Sequence, residues 1–181
     1  MAFTVPRTWT DGELVTKAIM DPHVRDNFLA MGPHLIARRT TNQSVTSSTV
    51  FVSDDTLQLT VATNEVWNFK FVLRYDAGGT GDLKVSFSIP ASAEVDAWAT
   101  TPSNATGVYQ DASWQSLTTT DSQPFVFTGA GAGVNRILVI EGLYVGAGTA
   151  GTFILRWAQG ASDATATRML THSTLWAVKL A

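Results

Sequence analysis

Beyond Pro33 the apolar residues of this chain fall at alternate positions, the period of strands with one face buried. Leu57, Leu59 and Val61 alternate with Gln58 and Thr60. In the longer run from Val66 to Tyr75, Trp67, Phe69, Phe71, Leu73 and Tyr75 share one face, and Asn68, Lys70, Val72 and Arg74 take the other. The stretch Ala77 to Asp82, AGGTGD, reads as a turn into Leu83, Val85, Phe87 and Ile89, so the two runs are expected to form a hairpin ending at Pro90. From Ala91 to Gln123 the pattern weakens. Short apolar pieces around Val95 to Trp98, Val108-Tyr109 and Trp114 to Leu117 are separated by Thr, Ser, Asn and Pro, and read as irregular. Alternation returns at Phe125-Val126-Phe127, and ILVIEGLYV, within Arg136 to Val145, is apolar enough for a central strand. A second Gly-rich turn, Gly146 to Gly151, leads into Thr152 to Gln159, and a last strand runs from Ser173 to Leu180. Several strands joined by turns, with no helical window between them, predict a mainly β protein, a β-sandwich rather than alternating β/α units.

The residues before Pro33 follow another period. Thr16 is placed to cap Lys17 to Met20, and Asp21 precedes Pro22 as an N-cap precedes a proline in a first helical turn. Val24, Phe28, Met31 and Leu35 then recur at three to four residues, one apolar stripe of a second helix that Gly32-Pro33 ends. A helix of about ten residues is marginal alone in water, so this one needs a partner surface. The expected organisation is a helical N-terminal attachment segment, residues 1–34, followed by a sandwich domain, residues 35–181. Arg38 to Ser48 is the boundary candidate, either a connector or a first edge strand.

Composition narrows the function more than the fold. The 181 residues are 45% hydrophobic and only 15% charged, with a formal net charge of -3 and no basic cluster larger than Arg38-Arg39. That argues against nucleic acid as a partner. No apolar run approaches the roughly twenty residues of a spanning helix, and the N-terminus lacks the pattern of a signal peptide, so membrane insertion and Sec export are not expected. There is no cysteine, which excludes disulfides and thiolate metal sites.

Candidate chemistry is sparse. His23, His34 and His172 stand in neither HxH nor HExxH spacing, and no G-x-S-x-G or phosphate loop occurs. His23 reads as a hydrogen-bonding helix residue and His172 as a turn residue; no enzyme and no cofactor are expected. Asp54-Asp55 and Asp76 with Asp82 offer oxygens for calcium, but turn chemistry explains them more simply, and no metal is expected. Trp67, Trp157 and Trp176 fall in strands, which assigns them to the core or to a subunit interface. Trp98, Tyr109 and Trp114 lie in the irregular middle, whose composition suits recognition loops. The sequons at Asn42 and Asn104 carry no meaning without export. An apolar stripe on a short head, and a run apolar on both faces from Ile137 to Ile140, favour self-association or docking.

Two stretches resemble structural proteins of tailed bacteriophages. Arg7 to Met31, RTWTDGELVTKAIMDPHVRDNFLAM, is similar to a segment that opens many siphovirus minor-tail and tail-fibre proteins. There a Trp and a Gly-Glu precede a threonine-capped turn and a His-Val/Ile-Arg-Asp-Asn helix; here these are Trp9, Gly12-Glu13, Thr16 and His23 to Asn27. Gly151 to Leu180 resembles the last two strands of the jelly-roll domains in such proteins. The pattern departs at Ala18 to Pro22, where the family has a polar residue and Leu-Asn before the histidine. The resemblance implies a non-enzymatic virion component made in the host cytoplasm, with a jelly-roll body of the tumour-necrosis-factor and complement-C1q type, assembled as a homotrimer. Its partners would be other virion proteins of tail or capsid, and a host-surface glycan or protein. A minor-tail or short-fibre role is expected, with attachment through Trp9 on an entry strand, Val24, Phe28, Met31 and Leu35. The alternatives are a capsid decoration or head-fibre protein, and a free carbohydrate-binding module using Trp98, Tyr109 and Trp114.

Overall fold

A strand with one apolar face must find a second layer to cover it, and the alternating runs do so as two packed antiparallel sheets. The structure is a computed structural model. It describes residues 4–5, 7–27, 34–102 and 109–180, with the backbone alone for residues 34, 102 and 109–114. The chain divides into two compact units, Met1–His34 and Leu35–Ala181.

The strands of the body are β1 His34–Arg38, β2 Gln43–Val45, β3 Val52–Val61, β4 Val66–Asp76, β5 Leu83–Ser88 and β6 Glu94–Pro102. They continue with β7 Tyr109–Leu117, β8 Phe125–Phe127, β9 Asn135–Val145, β10 Gly151–Ala158, β11 Thr167–Met169 and β12 Thr174–Lys179. The larger sheet has the order β1-β12-β4-β9-β6-β7, with β11 pairing β2 and β4; the smaller has the order β3-β10-β5-β8. Consecutive strands cross between layers, β3 to β4 to β5 and again β8 to β9 to β10. With β6 and β7 set aside as an extension beyond β9, β1-β12-β4-β9 packed on β3-β10-β5-β8 is a jelly-roll sandwich. The segment from Arg38 to Ser48 supplies an edge strand and β2 rather than a free connector.

The expected hairpin across residues 77–82 does not form, because β4 and β5 lie in different sheets. Both strands bury one apolar face, and that pattern is the same for neighbours in a sheet and for strands stacked about 10 Å apart across a sandwich. The loop makes the crossing. Asp82 turns it with φ +52° and its carboxylate accepts the Gly129 N–H at 2.9 Å. Residue 129 must be glycine here, since a Cβ would stand 2.1 Å from the Gly78 carbonyl oxygen.

Between the layers Phe69 and Phe71 of β4 meet Phe87 of β5 and Phe153 of β10, with ring centroids 5.0 to 6.1 Å apart. All four rings are fully buried, and each contributes about 1.5–3 kcal/mol by its burial. Leu57, Leu59, Val61, Leu73, Tyr75, Leu138 and Ile140 belong to the same core, with Trp157, Leu155 and Tyr144 among its other members.

One edge of the sandwich is closed by a buried ion pair. The Arg39 backbone bonds to the turn before β12, donating its N–H to the Ser173 carbonyl and accepting from His172 N–H, both at 2.9 Å. Its guanidinium, fully buried, reaches Asp54 of β3 at 2.7 Å and Asp55 at 2.8 Å. Asp54 also accepts the N–H groups of Thr56 and Leu57 at 2.9 and 2.8 Å. Asp54 thus makes the local turn bonds expected of it, and both carboxylates of the pair also anchor arginine.

In the N-terminal unit, Lys17–Met20 form α1 and Asp21–Arg25 continue it without a break as a π-helical turn. Thr16 occupies the N-cap but makes no side-chain capping bond. Asp21 is not a cap: its backbone is helical and its N–H bonds to the Lys17 carbonyl. Pro22 has no N–H to give Ala18 and its ring crowds that turn, so the helix widens until Asp26 N–H reaches back to the Asp21 carbonyl. One continuous helix therefore replaces the two expected. Asn27 then ties down the chain start, bonding to Thr4 N–H at 2.9 Å and to the Thr4 carbonyl at 3.1 Å. Among the described residues no helix is long and apolar enough to cross a membrane.

Asp54→Ala should cost up to about 3–5 kcal/mol in urea unfolding by removing the buried carboxylate that faces the Arg39 guanidinium and leaving it the exposed Asp55 as counter-charge, and an Arg39→Met, Asp54→Leu double variant should recover most of it.

Candidate functional site

The two outer faces of the sandwich differ in character. On the smaller sheet Gln58 and Thr60 are exposed, and Lys84 donates to the Thr49 carbonyl at 2.9 Å. Beside it the Arg156 guanidinium pairs with Asp121 and donates to the Phe51 carbonyl at 2.9 Å. Burial pushes the Asp121 carboxyl above its usual value despite the Arg156 charge. The larger sheet instead turns Ile137, Leu143, Val145, Trp98 and Trp176 outward, all at least 39% exposed.

Register explains how these residues meet. Trp176 of β12 stands opposite Lys70 of β4, Lys70 opposite Glu141 of β9, Glu141 opposite Trp98 of β6, and Trp98 opposite Trp114 of β7. One row thus crosses five strands. Lys70 and Glu141 close an ion pair at its middle. The next outward row holds Val178, Asn68, Leu143, Asp96 and Ser116. Between the rows runs a groove of about 560 Å³ lined by Asn68, Phe69, Lys70, Asp96, Trp98, Glu141, Gly142, Leu143 and Trp176. Gly142 lets the floor reach down to Phe69, and a Cβ there would stand 2.2 Å from the Asp96 carbonyl oxygen and 2.8 Å from the Phe69 ring.

Away from the groove, Glu65 gathers the end of the sandwich. Burial pushes its carboxyl up, but bonds from Lys179, Ala62 N–H and the Trp67 indole, with the Lys179 charge, outweigh that and hold it below its usual value. The indole donates at 3.0 Å and Lys179 pairs at 2.8 Å. Burial, then the Glu65 charge, pushes the Tyr144 phenol up.

Of the residues singled out from the sequence, the sheet brings Trp98, Trp114 and Trp176 onto one row and places the others apart from it. Trp67 and Trp157 point into the core, whereas Trp176 is 41% exposed on the outer face. Trp98, Tyr109 and Trp114 are not in loops: they sit on β6 and β7, paired in register, because backbone pairing overrides the weak strand pattern of Thr, Ser and Asn. Leu35 belongs to β1 and packs on the body's core rather than extending a helical stripe. Trp9 lies in no strand; it is exposed, with the Arg7 guanidinium 5.8 Å from its ring. Val24 is half-buried within the π turn, and Phe28 and Met31 lie outside the described residues. His172 is a turn residue at φ +67°, its Nδ1 2.8 Å from Arg38. His23 is half-buried in the π turn, and its Nδ1 is buried without a partner among the described residues. Asp76 accepts the Gly133 N–H at 3.0 Å.

Lys70, Glu141, Gly142 and Asp96 were not anticipated. A lone Glu-Gly inside ILVIEGLYV was the available signal, but its partners come from strands remote in sequence.

No protein-family model matches the chain, and no curated protein does. Among solved structures it is similar to a chain of "Structure of infectious bursal disease virus Gx strain", at 8% identity and TM-score 0.19. That similarity covers 81% of this chain and 38% of the other.

Gly142→Ala should destabilise the body by about 1–3 kcal/mol, read by thermal unfolding, because β6 and Phe69 must both give way. A carboxylate held below its usual value stabilises the fold fully above its unfolded titration range, and that stability is lost as the pH falls through the folded value. Wild type should therefore be more stable than Glu65→Gln near neutrality, with the difference shrinking on acidification in Trp-fluorescence-monitored unfolding.

Proposed function

We propose that the protein is a non-enzymatic structural component of a tailed-phage virion, attached through residues 1–34 and displaying its jelly roll outward as a homotrimer. The observation that carries this reading is the contrast between the two units. The body has a complete core of its own. The N-terminal unit buries no residue of Lys17–Arg25 and leaves Val5, Leu14 and Val15 exposed, Leu14 by 79%. Apolar side chains left in water on a small unit are the mark of a surface that gains stability by being covered. The resemblance of Arg7 to Met31 to tail-protein openings supports a second virion protein as the cover, in a minor-tail or short-fibre setting.

The ion pairs of the unit shape that surface. The Lys17 hydrogen bond, against desolvation and with help from Arg25, holds the Asp21 carboxyl below its usual value. Arg7 pairs with Glu13 while lying over Trp9. These contacts leave the aliphatic residues free to face a partner.

Deleting residues 1–34 should leave a β-rich body that unfolds cooperatively but no longer enters particles; continued incorporation would refute the attachment role. Particles lacking the protein should lose adsorption to host cells rather than heat stability, whereas loss of heat stability would move the protein to the capsid. Sedimentation of the full chain should give a trimer, and a stable monomer at micromolar concentration would overturn the assembly.

A further inference from the structure

Two exposed indoles stand on one row of the larger sheet, Trp176 on β12 and Trp98 on β6, with Lys70 and Glu141 between them. Three interstrand steps at about 4.8 Å set their backbones roughly 14 Å apart. That span is too wide to clamp one small ring and suits an extended ligand lying across the strands.

The floor between them is largely polar, with Leu143 the exposed aliphatic side chain among its lining residues. Lys70 and Glu141 pair with each other, and Asn68 and Asp96 line the same groove. Asp96 makes no ion pair among the described residues. An apolar protein surface pressed onto this floor would strip water from three charges with little return. A polyanion would meet two carboxylates and one ammonium. Neither occupant fits the mixture of flat apolar walls and a hydrogen-bonding floor.

We propose that this groove binds a neutral oligosaccharide. The sugar rings lay their C–H faces on the Trp98 and Trp176 indoles, and their hydroxyls replace water on Lys70, Glu141, Asn68 and Asp96. A volume of about 560 Å³ lies within the range of small-ligand sites. The groove lies wholly within the body, so the proposal stands whether or not the protein is a virion component. Particle incorporation and sugar binding are separate measurements.

The test titrates the full-length protein with neutral hexaoses of glucose, xylose, galactose and N-acetylglucosamine, following tryptophan fluorescence and calorimetric heat. At least one should bind and perturb the fluorescence. Trp98→Ala and Trp176→Ala should each weaken it about tenfold or more, Trp98→Phe should restore part of the loss, and Val126→Ala on the other sheet should leave it unchanged. All variants should keep the wild-type circular dichroism. Binding to none of the hexaoses, or equal binding in both alanine variants, would overturn the proposal. So would sedimentation showing wild-type oligomers that both alanine variants dissociate, since a second copy would then occupy the face.

Discussion

Strand β4 is flanked along its length by β12 and β9 and meets β11 at its end, so its two faces set the character of both sides of the larger sheet. Inward it sends Trp67, Phe69, Phe71, Leu73 and Tyr75, all buried, and the smaller sheet packs on them. Outward it sends Asn68 and Lys70, and the groove forms around them. The strict period of two ties these roles together: a register slip of one residue would put Lys70 in the core and Phe69 in solvent. The aromatic core therefore holds the groove in register as well as holding the layers together.

The outer face carries its polar groups in a particular order. Lys70 and Glu141 neutralise each other in the middle of a row, between Trp176 and Trp98, and Gly142 beneath it shares the inward face of Phe69, where a Cβ would collide with that ring and with the Asp96 carbonyl oxygen. Ion pairs at a surface are worth little in stability, generally under about 1 kcal/mol. The Lys70–Glu141 pair matters more for where it holds its donors and acceptors than for any energy it adds. The Arg39–Asp54 pair is the opposite case, since its charges are buried and the edge of the sandwich is built around them.

Much of the fold was legible because strand alternation is a local property. Leu57, Leu59 and Val61 and the β4 aromatics bury the faces their alternation assigned to the inside, and the apolar run of β9 is an inner strand of its sheet, although its Ile137, Leu143 and Val145 face outward. The crossing at residues 77–82 was not legible, since a turn between two half-buried strands reads alike whether they pair or stack. Helix signals misled for a similar reason: Asp21-Pro22 has the composition of a helix start, but a helix already running through Met20 absorbs the proline by widening. In the Thr- and Ser-rich middle, β6 pairs with the edge that β9 offers and β7 with the edge that β6 then offers, which no propensity in their own residues announces.

The sequence by itself determined which side chains of the regularly alternating strands β3, β4 and β5 face inward, the β class of the body, the separate character of the N-terminal residues, and the absence of thiol chemistry. Only the tertiary structure decided which sheet each strand joins, that Arg39 and Asp54 meet, and that residues 70, 98, 141 and 176 share one row. The physical reason is that alternation needs only neighbours along the chain, whereas a row across a sheet is made by backbone hydrogen bonds between segments far apart in sequence.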